Sequence, residues 1–411
     1  MSDHRAEFEA RDRRVRTAVA LGTPDRVPFV PTMGNLAALE YGVTIRAAME
    51  DQRAVIPALD RMLEDMKPDY FYTLDFFPKN ALDILRPVNI NYPGKTDAFG
   101  DNFTYQVADR TFLEDDDYET FLQDPTAFLL HRVLAEKYEA LGGLKLLDAY
   151  SLSGATAMGF AAFAAPPLAG ALEAMLAAGR ETQKYIETSV AVNMHLIGQG
   201  FPIWGHAITS APFDAFADNI RGLVNTVMDM RSDPELLLQA VDRFTDVLIN
   251  GAIARAKMVH ADTMFIPLHL GMDEFMSPAD YEQFYWPSLR KMICALVEAG
   301  ITPFVFCEGN YASRLECIRD VPRGKVVYLF EKMDMAKAKR ALEGVACIAG
   351  NMSTITLLCG TPKQVEEETR RLLDLCAPGG GYIMSNDISL DNCKRENLAA
   401  WYEAVEKYGA Y

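Results

Sequence analysis

"ADTMFIPLHLGMDEFMSPADYEQFYWPSLRKMICALVEAGITPFVFCEGN" (residues 261–310) holds a strand, a helix and a second strand in immediate succession. The apolar run 261–268 is short and unbroken, as a strand covered on both faces would be. The helix spans 277–300: Ser277 is its N-cap, Pro278 its first helical residue, and Gly300 its stop. The strand 301–307 follows at once. Two apolar strands joined through a helix lie parallel, because the crossover returns the chain to the same edge. The unit recurs downstream. A helix around 311–320 leads to the strand 324–330, and the helix 333–344 to the strand 345–351. Thr361 caps the helix 361–380, with Pro362 next, before the strand 381–387 and a closing helix at 394–409.

The first half offers four more strand candidates, at 26–32, 68–76, 144–151 and 200–208. Nine candidates exceed the eight that a closed (β/α)8 barrel needs, so one of them lies outside the ring. An open doubly wound sheet is the competing architecture, and it lacks a GxGxxG after an early strand. The acidic stretch 107–141 interrupts the alternation, as a helical insertion near a barrel mouth or an ordinary solvated helix pair.

Of 411 residues, half are hydrophobic, enough for two domains or one large α/β barrel. With 40 basic and 57 acidic residues the formal charge is −17, which argues against a nucleic-acid partner. Seven scattered cysteines without a CxxC pair fit a reducing compartment, so a cytoplasmic location is expected. The charged, helix-like N-terminus has no apolar core of signal-peptide type. The Ala- and Gly-rich stretch 153–179 reads as a buried helical region rather than a membrane span, because Pro166 and Pro167 break it.

In a parallel barrel the chemistry sits at the C-terminal strand ends. Those ends carry Asp75, His206, His269 with Asp273 and Glu274, then Cys307, Glu308 and Asn310, and finally Ser385, Asn386 and Asp387. Structural roles compete: Asp75 as a helix cap, His206 as a core histidine, Asp387 as a turn residue. Tyr72, Phe76 and Phe77 suit a flat apolar ligand, or plain core. Cys307 and Glu308 are types that bind zinc, but HxxxH, HExxH and CxxC are absent, and a lone thiol is also a small hydrophobe. Strand alternation puts Cys307 and Glu308 on opposite faces, Phe306 and Glu308 on one. Glu308 is therefore expected to face the pocket.

The chain resembles the uroporphyrinogen decarboxylase superfamily over roughly residues 20–409. The resemblance rests on "PDRVPFVPT" (24–32), "YTLDFFP" (72–78), "MSPADYEQFYWPSLRKMI" (276–293), "FCEGN" (306–310), "IAGNMSTITLLCGTPKQVEEETRRLLD" (348–374), "GGGYIMSND" (379–387) and "RENLAAWYEAVEKYG" (395–409). It implies a single (β/α)8 TIM-barrel domain over 1–411, with a helical N-terminal extension. Decarboxylases of the superfamily carry an Arg-Gln-Ala-Gly-Arg segment after the first strand. Here that stretch is "PTMGNLAALEYG" (31–42), without arginine, although Asp75 matches the decarboxylase aspartate. Corrinoid-linked methyltransferases are the other branch, and many hold zinc on a His-x-Cys pair and a distant Cys. Those slots fall on Phe306, Glu308 and a position near Asp387, so a soft thiolate site is not evident; Cys307 and Cys359 lie near enough in sequence to complete a site with Glu308 and Asp387.

The resemblance thus implies an enzyme moving a methyl group from a small O- or N-methyl substrate to a corrinoid (cobalamin) on a partner protein, as an O-demethylase component does. Glu308 would protonate the leaving group or hold zinc. Asp75 and His269 would orient the substrate, with Tyr72, Phe76, His206, Asp273 and Asn310 around it. A homodimer is expected, since barrels of this kind often pair. The alternatives are a methylcorrinoid:tetrahydrofolate or thiol methyltransferase, a uroporphyrinogen decarboxylase-like decarboxylase, and a non-catalytic binding protein.

Overall fold

A computed structural model describes residues 2–72, 76–154, 156–204 and 207–411. Its strands are β1 (Phe71–Tyr72), β2 (Ile90–Asn91), β3 (Gln106–Val107), β4 (Ile203–Trp204), β5 (Ala207–Ile208), β6 (Thr263–Leu268), β7 (Thr302–Asn310), β8 (Val327–Lys332), β9 (Cys347–Ala349) and β10 (Tyr382–Ile383). The six from β5 to β10 form one parallel sheet in chain order. β1 pairs in parallel with β4.

Backbone hydrogen bonds close the ring. Val30 N donates to Met384 O (2.9 Å), and Met384 N to Pro28 O (2.8 Å). Asp69 N donates to Phe29 O (2.7 Å), which joins the segment at 28–30 to the one leading into β1. β4 and β5 flank residues 205–206 and share one position, β4 on β1 and β5 on β6. The ring therefore has eight parallel positions: the barrel expected from the alternation. The candidate outside it is 144–151, where a 3₁₀ helix (Glu139–Leu146) and a short α-helix (Ala149–Leu152) stand instead of a strand.

Alternation along the strands separates two packed layers. Val30, Tyr72, Trp204, Phe265, Phe304, Phe306, Leu329 and Ile383 fill the barrel interior. Trp204 stacks on Phe304 at 4.2 Å between centroids, a contact worth about 0.5–1.5 kcal/mol beyond area burial. The N-terminal helix Ser2–Val19 contributes Val15 and Ala18 to this interior cluster. Residues of the opposite parity, such as Val305 and Cys307, meet the surrounding helices.

The caps read from sequence are present: Ser277 accepts from Asp280 N, Gly300 takes φ +79, and Thr361 forms a capping box with Gln364. Two expectations need correction. The 153–179 region is helical but largely exposed: Met158 is 75% and Leu176 61% accessible. Its apolar side chains are mostly alanine, which buries little area per residue and does not pull the helix inward. Among the described residues no single helix is long and apolar enough to cross a membrane. Second, the insertion is helical from Asp115 to Leu146, but it opens with an extended segment, where β3 pairs antiparallel with β2.

Candidate active site

A cavity of about 720 Å³ lies at the C-terminal strand ends, walled by Tyr72, Phe265, Phe306, Glu308 and His269 from the barrel. Tyr105, Val107, Ala108 and Asp109 close another side, so the extended opening of the insertion does reach the barrel mouth.

The turn after β7 explains "FCEGN". The β7–β8 register shifts between Cys307 and Asn310, as at a bulge, and Gly309 takes φ +75. A bulge bends the strand and re-aims the side chains beside it. Gly309 N donates to Glu331 Oε2 at 2.6 Å, which ties the turn to β8. Glu308 follows Phe306 onto the cavity, and its carboxylate makes no hydrogen bond among the described residues. Burial is the main cause that lifts Glu308 to about 7; the charge on His269 opposes this, while Asp214, Glu331 and Asp218 add to it.

His269 stands between two carboxylates from the helical turn after β5. Its Nε2 meets Asp218 Oδ2 at 2.8 Å, and its Nδ1 lies 3.7 Å from Asp214 Oδ2. Burial works against an imidazolium, yet the Asp218 hydrogen bond and the fields of Asp214, Asp218 and Glu308 raise the ring to about 9. His269 is therefore charged at neutral pH. Asp214 is fully buried and accepts from Tyr285 OH (2.7 Å), His269 N (3.2 Å) and Leu270 N (3.3 Å). Its desolvation, only partly offset by His269 and Tyr285, holds it up to about 6.

The structure brings together Glu308, His269, Tyr72 and Phe77 of the residues singled out from sequence. Asp75 and His206 lie outside the described residues. The other assignments are corrected. Phe76 packs into the helix–strand core, and its neighbour Phe77 lines the cavity. Asp273 spends its oxygens on Ser313 N (3.1 Å), Ser313 Oγ (2.7 Å) and Arg314 (3.3 Å). Asn310 closes a local turn, its Oδ1 accepting from Ala312 N. Both hold the loops together and neither lines the cavity.

The expected zinc ligands do not converge either. Cys307 is wholly buried among the outer-layer residues, on the opposite face from Glu308, and burial raises its thiol well above the ordinary range. Cys359 is exposed at the end of the helix Thr354–Cys359, beside a separate surface depression. Asp387 accepts from Thr354 N (3.0 Å) and Ile388 N (2.8 Å) as a turn residue. Among the described residues no three His, Cys, Asp or Glu side chains are grouped to hold a metal, so this donor set does not fit zinc.

Residues missed from sequence complete the wall. Asp214 and Asp218 are four apart in "DAFADN", a spacing that puts both on one helical face and was a readable signal. Thr32 lines the cavity, held by Asn386, which accepts from Thr32 N and donates to Thr32 O. Its hydroxyl is buried, with no partner among the described residues. No local pattern marks Thr32, since the partner lies at the far end of the chain.

Residues 160–408 match the family model for uroporphyrinogen decarboxylase (URO-D). A uroporphyrinogen decarboxylase from Syntrophotalea carbinolica is 28% identical over 156 residues, 38% of this chain and 44% of the relative. One from Citrifermentans bemidjiense is 26% identical over 202 residues, 49% of this chain and 56% of the relative. The matches thus span about half the length of these curated relatives. In three dimensions the chain is similar to a methyltransferase from Methanosarcina mazei, with TM-score 0.64 and 16% identity, over 96% of this chain and 98% of the other.

Proposed function

We infer what this chain does from the premise that it belongs to the uroporphyrinogen decarboxylase family: it moves a methyl group from a small O- or N-methyl compound to a corrinoid carried by a partner protein. The observation that carries this reading is the character of the cavity. Aromatic and aliphatic walls end at Glu308 and His269, and among the described residues no lysine or arginine lines it. A tetrapyrrole bearing many carboxylates needs cationic partners, arginine forks above all, and finds none on this wall. A small uncharged or cationic molecule meets no such obstacle. The fold-level likeness to the Methanosarcina mazei methyltransferase over nearly the whole of both chains supports the same branch.

A reduced corrinoid supplies the nucleophile for the methyl carbon. This chain's residues hold the donor, exclude water and meet the departing heteroatom. The rings of Tyr72, Phe265 and Phe306 are apolar walls that strengthen every charge interaction at Glu308 by keeping water out. Where the heteroatom is oxygen, the C–O bond breaks, the oxygen keeps the electron pair, and the proton of Glu308 passes to it. Glu308 holds that proton close to neutral pH. Where it is nitrogen of an ammonium, the amine leaves neutral and Glu308 serves as counter-ion. His269, kept charged and fixed by Asp214 and Asp218, orients the polar end of the donor.

The decisive experiment mixes the purified chain with cob(I)alamin and a panel of methyl ethers and methylamines, following loss of the cob(I)alamin absorbance. Donor-dependent loss is expected, reduced in Glu308→Ala. No loss with any donor, together with carbon dioxide release from uroporphyrinogen, would replace this reading with a decarboxylase.

A further inference from the structure

We propose, resting on the methyl-transfer reading above, that the cavity takes its donor as an N-methylated ammonium cation. Four observations meet there. First, among the described residues five aromatic side chains line the space: Tyr72, Phe77, Tyr105, Phe265 and Phe306. They are mutually braced, with Tyr72 on Phe265 at 4.9 Å, Phe77 on Tyr105 at 4.2 Å, and Phe265 near-parallel to Phe306 at 6.2 Å. Ring faces attract a methylated ammonium, whose charge is spread over its methyl groups. Second, Glu308 shares the interior face with Phe306, and its carboxylate has no hydrogen-bond partner among the described residues. Third, the charge balance is negative. Among the described residues, Asp109, Asp218 and Glu308 line the cavity against His269, whose own charge is engaged by Asp214 and Asp218. Fourth, the Thr32 hydroxyl, on a residue only 4% exposed, has no partner among the described residues and stands on the same wall, where a polar group on the donor could meet it.

A neutral ether gains no charge attraction from the surplus of carboxylates in binding, and an acid is repelled by it. For an ammonium donor the chemistry balances without an acid. The C–N bond breaks, nitrogen keeps the pair and leaves as a neutral amine, and the methyl passes to the reduced corrinoid.

The charge on Glu308 makes this testable without any corrinoid. The groups that face it are His269, Asp214, Asp218 and Glu331, with Cys307 beside it in the chain. In the unliganded cavity it ionises near pH 7, so a cation should bind more tightly as pH rises through that value. The probe is choline, with 3,3-dimethyl-1-butanol as its uncharged isostere, each titrated calorimetrically into the full chain between pH 6 and pH 8.

Choline is expected to bind at least about tenfold more tightly than the alcohol at the upper pH. Its affinity should fall on acidification, and the preference should shrink several-fold in Glu308→Gln. Phe306→Leu, which removes a ring face and no charge, should weaken choline more than the alcohol. Equal affinity for the two probes, or choline binding indifferent to pH in the wild-type chain, would overturn the proposal even if a variant failed to fold. A choline preference with no methyl transfer from any donor would sustain the cation site and sink the methyl-transfer reading. Transfer from ethers without that preference would do the reverse.

Discussion

Asp218→Asn removes one negative charge from the His269 ring and leaves the shape of the contact. The hydrogen bond concerned is 2.8 Å long and charge-assisted. Such bonds contribute about 1.5–3 kcal/mol, against about 0.5–1.5 for a neutral one. The difference, about 1–2 kcal/mol, corresponds to about one pH unit, since one unit is about 1.4 kcal/mol. Loss of the through-space attraction adds to this, but Asp218 is 35% exposed and water screens that part. His269, raised to about 9 in the wild-type chain, should therefore titrate between about 7 and about 8 in the variant. The chain has six histidines, so their ring Cε1–H signals can be followed singly by NMR across the range, with His269→Gln for assignment. A wild-type His269 midpoint near the ordinary value of about 6.5, or one that Asp218→Asn leaves in place, would refute the account of His269 as a clamped imidazolium.

Arg314 is 1% exposed; its guanidinium donates to the carbonyls of Gly271 and Met276, and lies over Tyr281 at 4.7 Å. Arg314→Met strands those acceptors and Asp273 and should lower stability by about 3–5 kcal/mol in urea unfolding. Gly309→Ala places a Cβ 2.7 Å from Met272 Sδ at φ +75 and should cost about 1–3 kcal/mol, read as a lower melting temperature. In the native chain a thiol reagent should label exposed Cys359 first; buried Cys307, Cys347, Cys376 and Cys393 should react only on unfolding, by mass spectrometry. Fast native labelling of Cys307 would contradict its assignment to the outer packing layer.

Much of this was legible in residue order because it depends on local rules. The run of short apolar strands and capped helices after residue 260 dictates parallel β-α units, and Ser277, Gly300 and Thr361 mark helix ends by their own chemistry. Alternation along one strand was enough to send Phe306 and Glu308 inward and Cys307 outward. Closure of the ring, by contrast, depends on hydrogen bonds between residues 28–30 and 384, more than 350 positions apart. The partners of His269 likewise come from a helix some fifty residues earlier. Asp273 and Asn310 stand at strand ends as chemistry-bearing residues do, but the Arg314 and Ser313 contacts and a local turn claim them. Phe76 and Phe77 carry the same expectation in sequence, and local chain geometry, not composition, sends Phe76 to the core and Phe77 to the cavity. Sequence determines what each segment buries. Which polar groups then share one low-dielectric space is decided by long-range packing, because the charge state of each group is set by neighbours the chain brings together only on closing.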